Sequence, residues 1–136
     1  GQTGLADRAS LVLAPTEVPG VTGVQQLAVG GRHTCALHDD GSVSCWGLNR
    51  YGQLGDGTFD AHEPACAVGS GLYDCSADPV SVILPSAATF LAAGGSHACA
   101  ILDTGEIYCW GSNNRAQVGN LDRQPRATPV PVLGFE

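Results

Sequence analysis

Six cysteines and four histidines carry the richest chemistry in this chain of 136 residues. Cys35, Cys45, Cys66, Cys75, Cys99 and Cys109 could serve as nucleophiles, metal ligands or disulfides. His33-x-Cys35 and His97-x-Cys99 put an imidazole and a thiol on one face of an extended strand. A zinc site, however, usually needs a short Cys-x(2–4)-Cys knuckle, and none occurs, so no metal site is expected. Every cysteine has a partner by position, so a reactive thiol is not expected either. The turn that exposes a hydrolase serine, Gly-x-Ser-x-Gly, is absent. Asp39, Asp40 and Asp103 lie in turn-forming sequence, where hydrogen bonding to the nearby backbone accounts for them. No catalytic residue is assigned, no cofactor is expected, and the chain reads as a non-enzyme.

Charge removes further classes. The basic residues are six arginines, with no lysine, against thirteen acids, for a net charge of −7. A lysine-dependent phosphate loop and Schiff-base chemistry are excluded. The acidic balance argues against nucleic acid as a partner, because phosphate binding needs clustered cations. No apolar run approaches the roughly 20 residues of a membrane span.

The elements that hold the cysteines repeat. Gly30-Gly31-Arg32-His33-Thr34-Cys35-Ala36-Leu37 recurs 64 positions later as Gly94-Gly95-Ser96-His97-Ala98-Cys99-Ala100-Ile101, and Ser44-Cys45-Trp46-Gly47-Leu48-Asn49 recurs as Tyr108-Cys109-Trp110-Gly111-Ser112-Asn113. Gly1-Gln2-Thr3-Gly4 matches Gly52-Gln53-Leu54-Gly55 at a distance of 51. The basic period is thus about 51 residues, with an insertion in one copy. This divides the chain into 1–18, the tail of a preceding repeat; 19–82, a first repeat with an insertion at about 59–78; and 83–136, a second repeat.

Within each repeat the apolar residues alternate in short runs bounded by glycine, which predicts strands and turns. Strands are expected at Gln25–Val29, His33–His38 and Ser42–Trp46, with a fourth near Pro15–Val18 or Pro79–Ile83, and again at Thr89–Ala93, His97–Leu102 and Glu106–Trp110. Asp39-Asp40-Gly41 suits a three-residue hairpin loop with Gly41 in the left-handed region. Cross-strand partners then place Cys35 opposite Cys45 and, in the second copy, Cys99 opposite Cys109. Both are non-hydrogen-bonded pairs with Cα atoms about 4.5 Å apart, close enough for a disulfide. Cys35, Leu37, Val43 and Cys45 share one face; Thr34, Ala36, Ser44 and Trp46 share the other. Cys66 and Cys75 pair by elimination, as a staple in the insertion. Closing 11 residues this way stabilises by about 2.8 kcal/mol in the chain-entropy model. Disulfides imply an oxidising compartment, hence an extracellular or cell-surface location. His33 and His97 face Gly47 and Gly111, which leave room for the rings. Both histidines are expected to be buried or half-buried and bonded to backbone.

The block Gly-Gly-x-His-x-Cys-Ala, then Cys-Trp-Gly-x-Asn, then Gly-Gln-Leu-Gly resembles the repeat of the regulator of chromosome condensation family, over nearly the whole chain. The resemblance implies an all-β fold: four-stranded antiparallel blades of a β-propeller, here about two blades plus partial pieces. It implies that the recurrent glycines and tryptophan serve blade geometry. Ala116 and Val118 stand where the pattern has Gly and Leu, so a turn that is distorted, or replaced by a contact, is expected there. The paired cysteines are similar to those of secreted or cell-surface bacterial members. A seven-bladed ring at about 51 residues per blade needs about 357 residues. The chain therefore reads as a fragment or processed piece, or as a subunit whose segments near Gly1–Val18 and Arg126–Phe135 complete sheets with neighbouring copies. The expected role is an extracellular module for protein interaction or scaffolding, with a self-assembling filament subunit as the alternative. The expected binding residues lie in loops: Arg50, Tyr51, Phe59, Leu72, Tyr73, Asn113 and Arg115.

Overall fold

The computed structural model describes residues 14–60, 66–68 and 71–134. The tail at 1–13 and the middle of the insertion lie outside them. The elements are β1 (Val24–Val29), β2 (His33–His38), β3 (Val43–Leu48), β4 (Cys66–Val68), β5 (Gly71–Tyr73), β6 (Cys75–Ser81), β7 (Ala88–Ala93), β8 (His97–Leu102), β9 (Ile107–Gly111) and β10 (Arg126–Pro131). They form two four-stranded sheets, in the orders β1-β2-β3-β6 and β10-β9-β8-β7, and the small hairpin β4-β5. Every pairing is antiparallel.

The hairpin arithmetic holds residue by residue. His33 pairs with Gly47, Cys35 with Cys45 and Leu37 with Val43; His97 pairs with Gly111, Cys99 with Cys109 and Ile101 with Ile107. At the turn, the His38 amide donates to the Ser42 carbonyl at 2.9 Å, and Gly41 has φ of 80°. That positive φ is open to glycine at little cost.

Of the two places expected for the fourth strand, the structure uses the one near Pro79, with earlier bounds. Pro15–Val18 lies in no strand; β6 fills the fourth place of the first sheet and begins at Cys75, inside the stretch read as insertion. Leu48 pairs with Cys75 and Gly47 with Ser76 across a bulge, so the hydrogen-bonding needs of β3 draw four extra residues into the blade. Likewise β10 pairs with β9 of its own sheet, so Arg126–Pro131 is not left for a neighbouring copy. Both of these outer strands carry proline, which edge strands tolerate because one side needs no donor.

The second turn is not distorted. Gly52 donates to the Asn49 carbonyl at 2.8 Å and Gly55 to Gly52 at 3.1 Å; in the second copy Ala116 donates to Asn113 at 2.9 Å and Gly119 to Ala116 at 3.1 Å. The backbone is kept, and Ala116 and Leu121 are held at φ of 59° and 65° to keep it. Their counterparts Gly52 and Gly57 sit at 73° and 89°. A Cβ on Gly52 would come within 2.5 Å of the Ala127 Cα, whereas Ala116 is exposed. Only the backbone term opposes a side chain at 116. Ala116→Gly and Leu121→Gly should each raise stability by about 0.5–1 kcal/mol. Gly52→Ala should lower it by more than about 2 kcal/mol. Denaturant unfolding of the three variants checks the contrast; equal effects at 52 and 116 would refute it.

Candidate interaction surface

The core shows how the sheets set the surface. The disulfide face of the first sheet packs on the tryptophan face of the second. Ala28, Cys35, Leu37, Val43 and Cys45 meet Ala88, Leu91, Ala98, Ala100, Leu102 and Trp110 in one buried cluster. The Cys35–Cys45 disulfide, with its Cα atoms 4.1 Å apart, is thus part of the junction as well as a hairpin clasp. Cys99–Cys109 has the same 4.1 Å separation. Cys75 is also disulfide-bonded. Its expected partner, Cys66, has its side chain outside the described residues.

The turn after β3 pins the sheets together. The Trp110 indole donates to the Gln53 carbonyl at 3.0 Å, and Leu54 is fully buried beside it. A Cβ on Gly55 would lie 2.8 Å from the indole nitrogen, so only glycine fits. Asn49, also buried, holds the turn from within. Its amide donates to the Thr58 and Asp60 carbonyls at 3.1 and 3.2 Å, while its oxygen accepts from Leu54 at 3.2 Å.

Register then gathers the loops. β1 ends, β2 begins, β3 ends and β6 begins at one end of the first sheet, and β7 to β10 repeat this in the second. The Gly31 amide donates to the Gly95 carbonyl at 3.0 Å, which aligns the two ends. On this shared end stand Arg50, with its guanidinium 6.0 Å from the Tyr51 ring centroid, and Tyr51 and Phe59, 39% and 45% exposed. Arg115 is exposed on the equivalent turn. The Gln53 side chain accepts from the Tyr51 amide, and Gln117 from the Arg115 amide, both at 2.8 Å. Each glutamine thus fixes the residue two places before it as an outward post. The β4-β5 hairpin, with Ala67 opposite Leu72 and Cys66 opposite Tyr73, belongs to the insertion that leads into β6 at this end. The side chains of Leu72 and Tyr73 lie outside the described residues.

Asn113 does not belong to the surface. It is fully buried, donates to Asn120 and Asp122 at 3.0 and 2.9 Å, and accepts from Val118 at 3.0 Å. It is the counterpart of Asn49, and a loop of this shape needs an internal amide to satisfy its backbone. The signal was available: Asn113 falls in the repeated block, whereas Arg115 does not match Tyr51.

The histidines also differ from expectation. Space for the His33 ring comes from Gly30, where a Cβ would lie 2.2 Å from Cε1, and Gly94 does the same for His97. Gly47 and Gly111 are required instead by φ of 105° and 100° and by the close Arg32 and Ser96 carbonyls. His33 is fully buried, yet neither ring nitrogen has a partner, so it is not bonded to backbone. Burial, and secondarily the charge of His97, lowers its pKa to about 4. Burial lowers His97 as well. Among the described residues no three His, Cys, Asp or Glu side chains converge as a metal site. The opposite end carries an open polar cleft of about 430 Å³ lined by Gly20, Thr22, Gly23, His38, Asp39, Asp40 and Ser42.

Sequence models of the regulator of chromosome condensation (RCC1) repeat match residues 24–53 and 89–117, and residues 40–101 and 104–136. The chain belongs to the regulator of chromosome condensation repeat family. The mitochondrial RCC1 domain-containing protein RUG3 of Arabidopsis thaliana is 35% identical over 120 residues, 87% of this chain and 24% of that protein. The human probable E3 ubiquitin-protein ligase HERC4 is 32% identical over 124 residues, 87% of this chain and 10% of that protein. Among solved structures, Prp20p of Saccharomyces cerevisiae superposes with a TM-score of 0.72 at 20% identity, covering 85% of this chain and 27% of that one. Human WBSCR16 gives 0.64 at 25% identity, covering 87% and 28%. The two sheets are therefore blades of the RCC1 β-propeller type, and the chain spans about a quarter or less of these relatives.

The buried imidazole sets a pH dependence. An unfolded His33 takes a proton near pH 6.5, while the folded one does so only near 4. Its contribution is therefore whole above about pH 6.5 and falls away as pH drops toward 4, by up to about 3 kcal/mol. His33→Leu should remove that part of the acid sensitivity. Urea unfolding at pH 7.5 and 4.5 compares them, and parallel losses in parent and variant would show that His33 does not titrate as described.

Proposed function

We propose that this chain is a non-enzymatic protein-interaction module that presents the Arg50, Tyr51, Phe59 and Arg115 end of its blades to a partner, in an extracellular or cell-surface setting. The observation that carries this reading is the pinning of Tyr51 and Arg115 as outward posts by buried or half-buried glutamines. Tyrosine and arginine dominate protein interfaces, because each offers a large contact at fixed geometry. A rigid blade beneath them lowers the entropy lost on binding. The relatives support a protein partner. Prp20p is described for its binding to Gsp1p and histones, and yeast RCC1 in complex with Kap60. The cross-strand disulfide in each sheet supports an oxidising location, since reducing compartments keep thiols free.

Two measurements test this. With a partner recovered from surface-exposed or secreted proteins, Tyr51→Ala with Arg115→Glu should weaken binding at least 30-fold, or about 2 kcal/mol. Asp103→Ala, at the opposite end, should leave binding unchanged; the reverse pattern would overturn the assignment. Protein isolated with thiols blocked should resist alkylation until it is reduced, and alkylation of native Cys35 or Cys99 would contradict the location.

A further inference from the structure

The turns after β3 and β9 share one backbone, so the repeat shows which of their residues are free to differ. The Asn49 amide donates to the Thr58 carbonyl at 3.1 Å, and the Asn113 amide to the Asp122 carbonyl at 3.0 Å. Phe59 and Arg123 each follow the carbonyl so held, and they stand 64 positions apart. Tyr51 and Arg115 are the other equivalent pair, with their amides held by Gln53 and Gln117. One turn therefore displays two aromatic rings where the other displays two guanidinium groups. Tyr51 and Phe59 are 39% and 45% exposed although the second sheet packs against their turn. Exposure at these posts is thus a property of the turn, kept with a neighbouring sheet in place. The two turns are also close: a Cβ on Gly52 would lie 2.5 Å from the Ala127 Cα, in the strand that begins at Arg126.

Charge follows a similar division. Arg32, Arg50, Arg115, Arg123 and Arg126 all stand at this end of the sheets. Arg126 is paired with Asp122, and among the described residues no carboxylate pairs with the other four, all exposed. The hairpin turns at the opposite end carry Asp39, Asp40, Asp103 and Glu106, all exposed, and no arginine. Among the described residues, positive charge is confined to one end of a chain that is acidic as a whole. A guanidinium presents a planar fork of donors, which a carboxylate meets with two parallel hydrogen bonds.

We propose that the Arg115 and Arg123 posts, together with Tyr51 and Phe59, recognise an acidic polypeptide segment that carries apolar residues beside its carboxylates. This rests on the interaction surface proposed above and names the chemistry of the partner there. The carboxylates bind the second turn and the apolar residues the first. The reverse placement is opposed by Asp60, exposed beside Phe59, where the second turn has Gln124 beside Arg123. At physiological salt, exposed charges more than about 8 Å apart are largely screened, so the acids of the far end do not repel a segment bound here. They turn the same segment away from that end, which fixes its orientation. Nucleic acid is the competing polyanion, and the arrangement opposes it. A phosphate-backbone binder makes roughly 6–10 phosphate contacts. The unpaired arginines here are fewer, and the exposed Asp60 and Asp74 share their end.

Fluorescence anisotropy with synthetic peptides on the intact chain tests this. The probe is a short run of glutamates ending in a pair of phenylalanines. The parent should bind it at least about 10-fold more tightly than its glutamine analogue, and the preference should shrink as salt rises. Arg115→Glu with Arg123→Glu should remove that preference and create one for the lysine analogue. Circular dichroism should stay native, because neither guanidinium bonds within the described fold. Phe59→Ala should weaken the probe and leave a glutamate run without phenylalanines unaffected. Glu106→Gln, at the opposite end, should change nothing. Equal affinity for the glutamate and glutamine peptides, or none for either, would overturn the acidic partner. If Tyr51→Ala with Arg115→Glu still weakened the recovered partner in that case, the interaction surface itself would stand. A preference retained by the double arginine variant would overturn the assignment to these posts. Tighter binding of a single-stranded oligonucleotide or an acidic polysaccharide than of the probe would overturn the polypeptide class.

Discussion

The contact on which the rest of this molecule depends is the one between Trp110 and the turn at 52–55. An indole N–H buried without an acceptor would cost about 1–3 kcal/mol. The Gln53 carbonyl meets that need, and it can do so only because Gly55 brings the backbone against the ring. The same turn sends Leu54 into the shared core and leaves Tyr51 outside. One hydrogen bond therefore couples the packing of two sheets to the posture of the residues that face solvent.

The disulfides belong to this logic. Cys35–Cys45 lies at the centre of the buried junction, where it adds a compact, polarisable surface that needs no hydrogen-bond partner. Its counterpart Cys99–Cys109 lies outside that junction, and there Cys109 is buried but Cys99 is only half buried. The same covalent clasp thus sits in two environments. Local strand pairing sets its geometry, while packing sets how far solvent reaches it.

Much of this was legible in the sequence where the cause was local. A three-residue turn fixes the hairpin register, and register fixes which cysteines meet, so both cross-strand bridges followed from counting. The division into a cysteine face and a tryptophan face followed from the same alternation. What escaped were features caused by a neighbour distant in the chain. Gly30 makes room for His33, which is invisible from their separation, and strand pairing alone pointed to Gly47. The fourth strand begins at Cys75 because β3 needed a partner there, and nothing within Cys75–Asp78 announces that. Asn113 was misplaced because polar loop residues usually face water, whereas this one replaces water for the backbone of its own turn.

The turns show why a repeat can state its fold plainly and its partner poorly. Asn49, Gln53, Leu54, Gly52 and Gly55 are each required by a buried bond or a close approach. Changing any of them disturbs the junction. Tyr51 meets no such demand, and its counterpart is Arg115, a residue of different size, charge and polarity held by the same amide bond. Two blades therefore share a scaffold yet display different chemistry at the same posts. The lysine-free, acidic composition narrows what those posts can bind, and the posts themselves decide it. Specificity in such a molecule resides in the positions that the repeat leaves free.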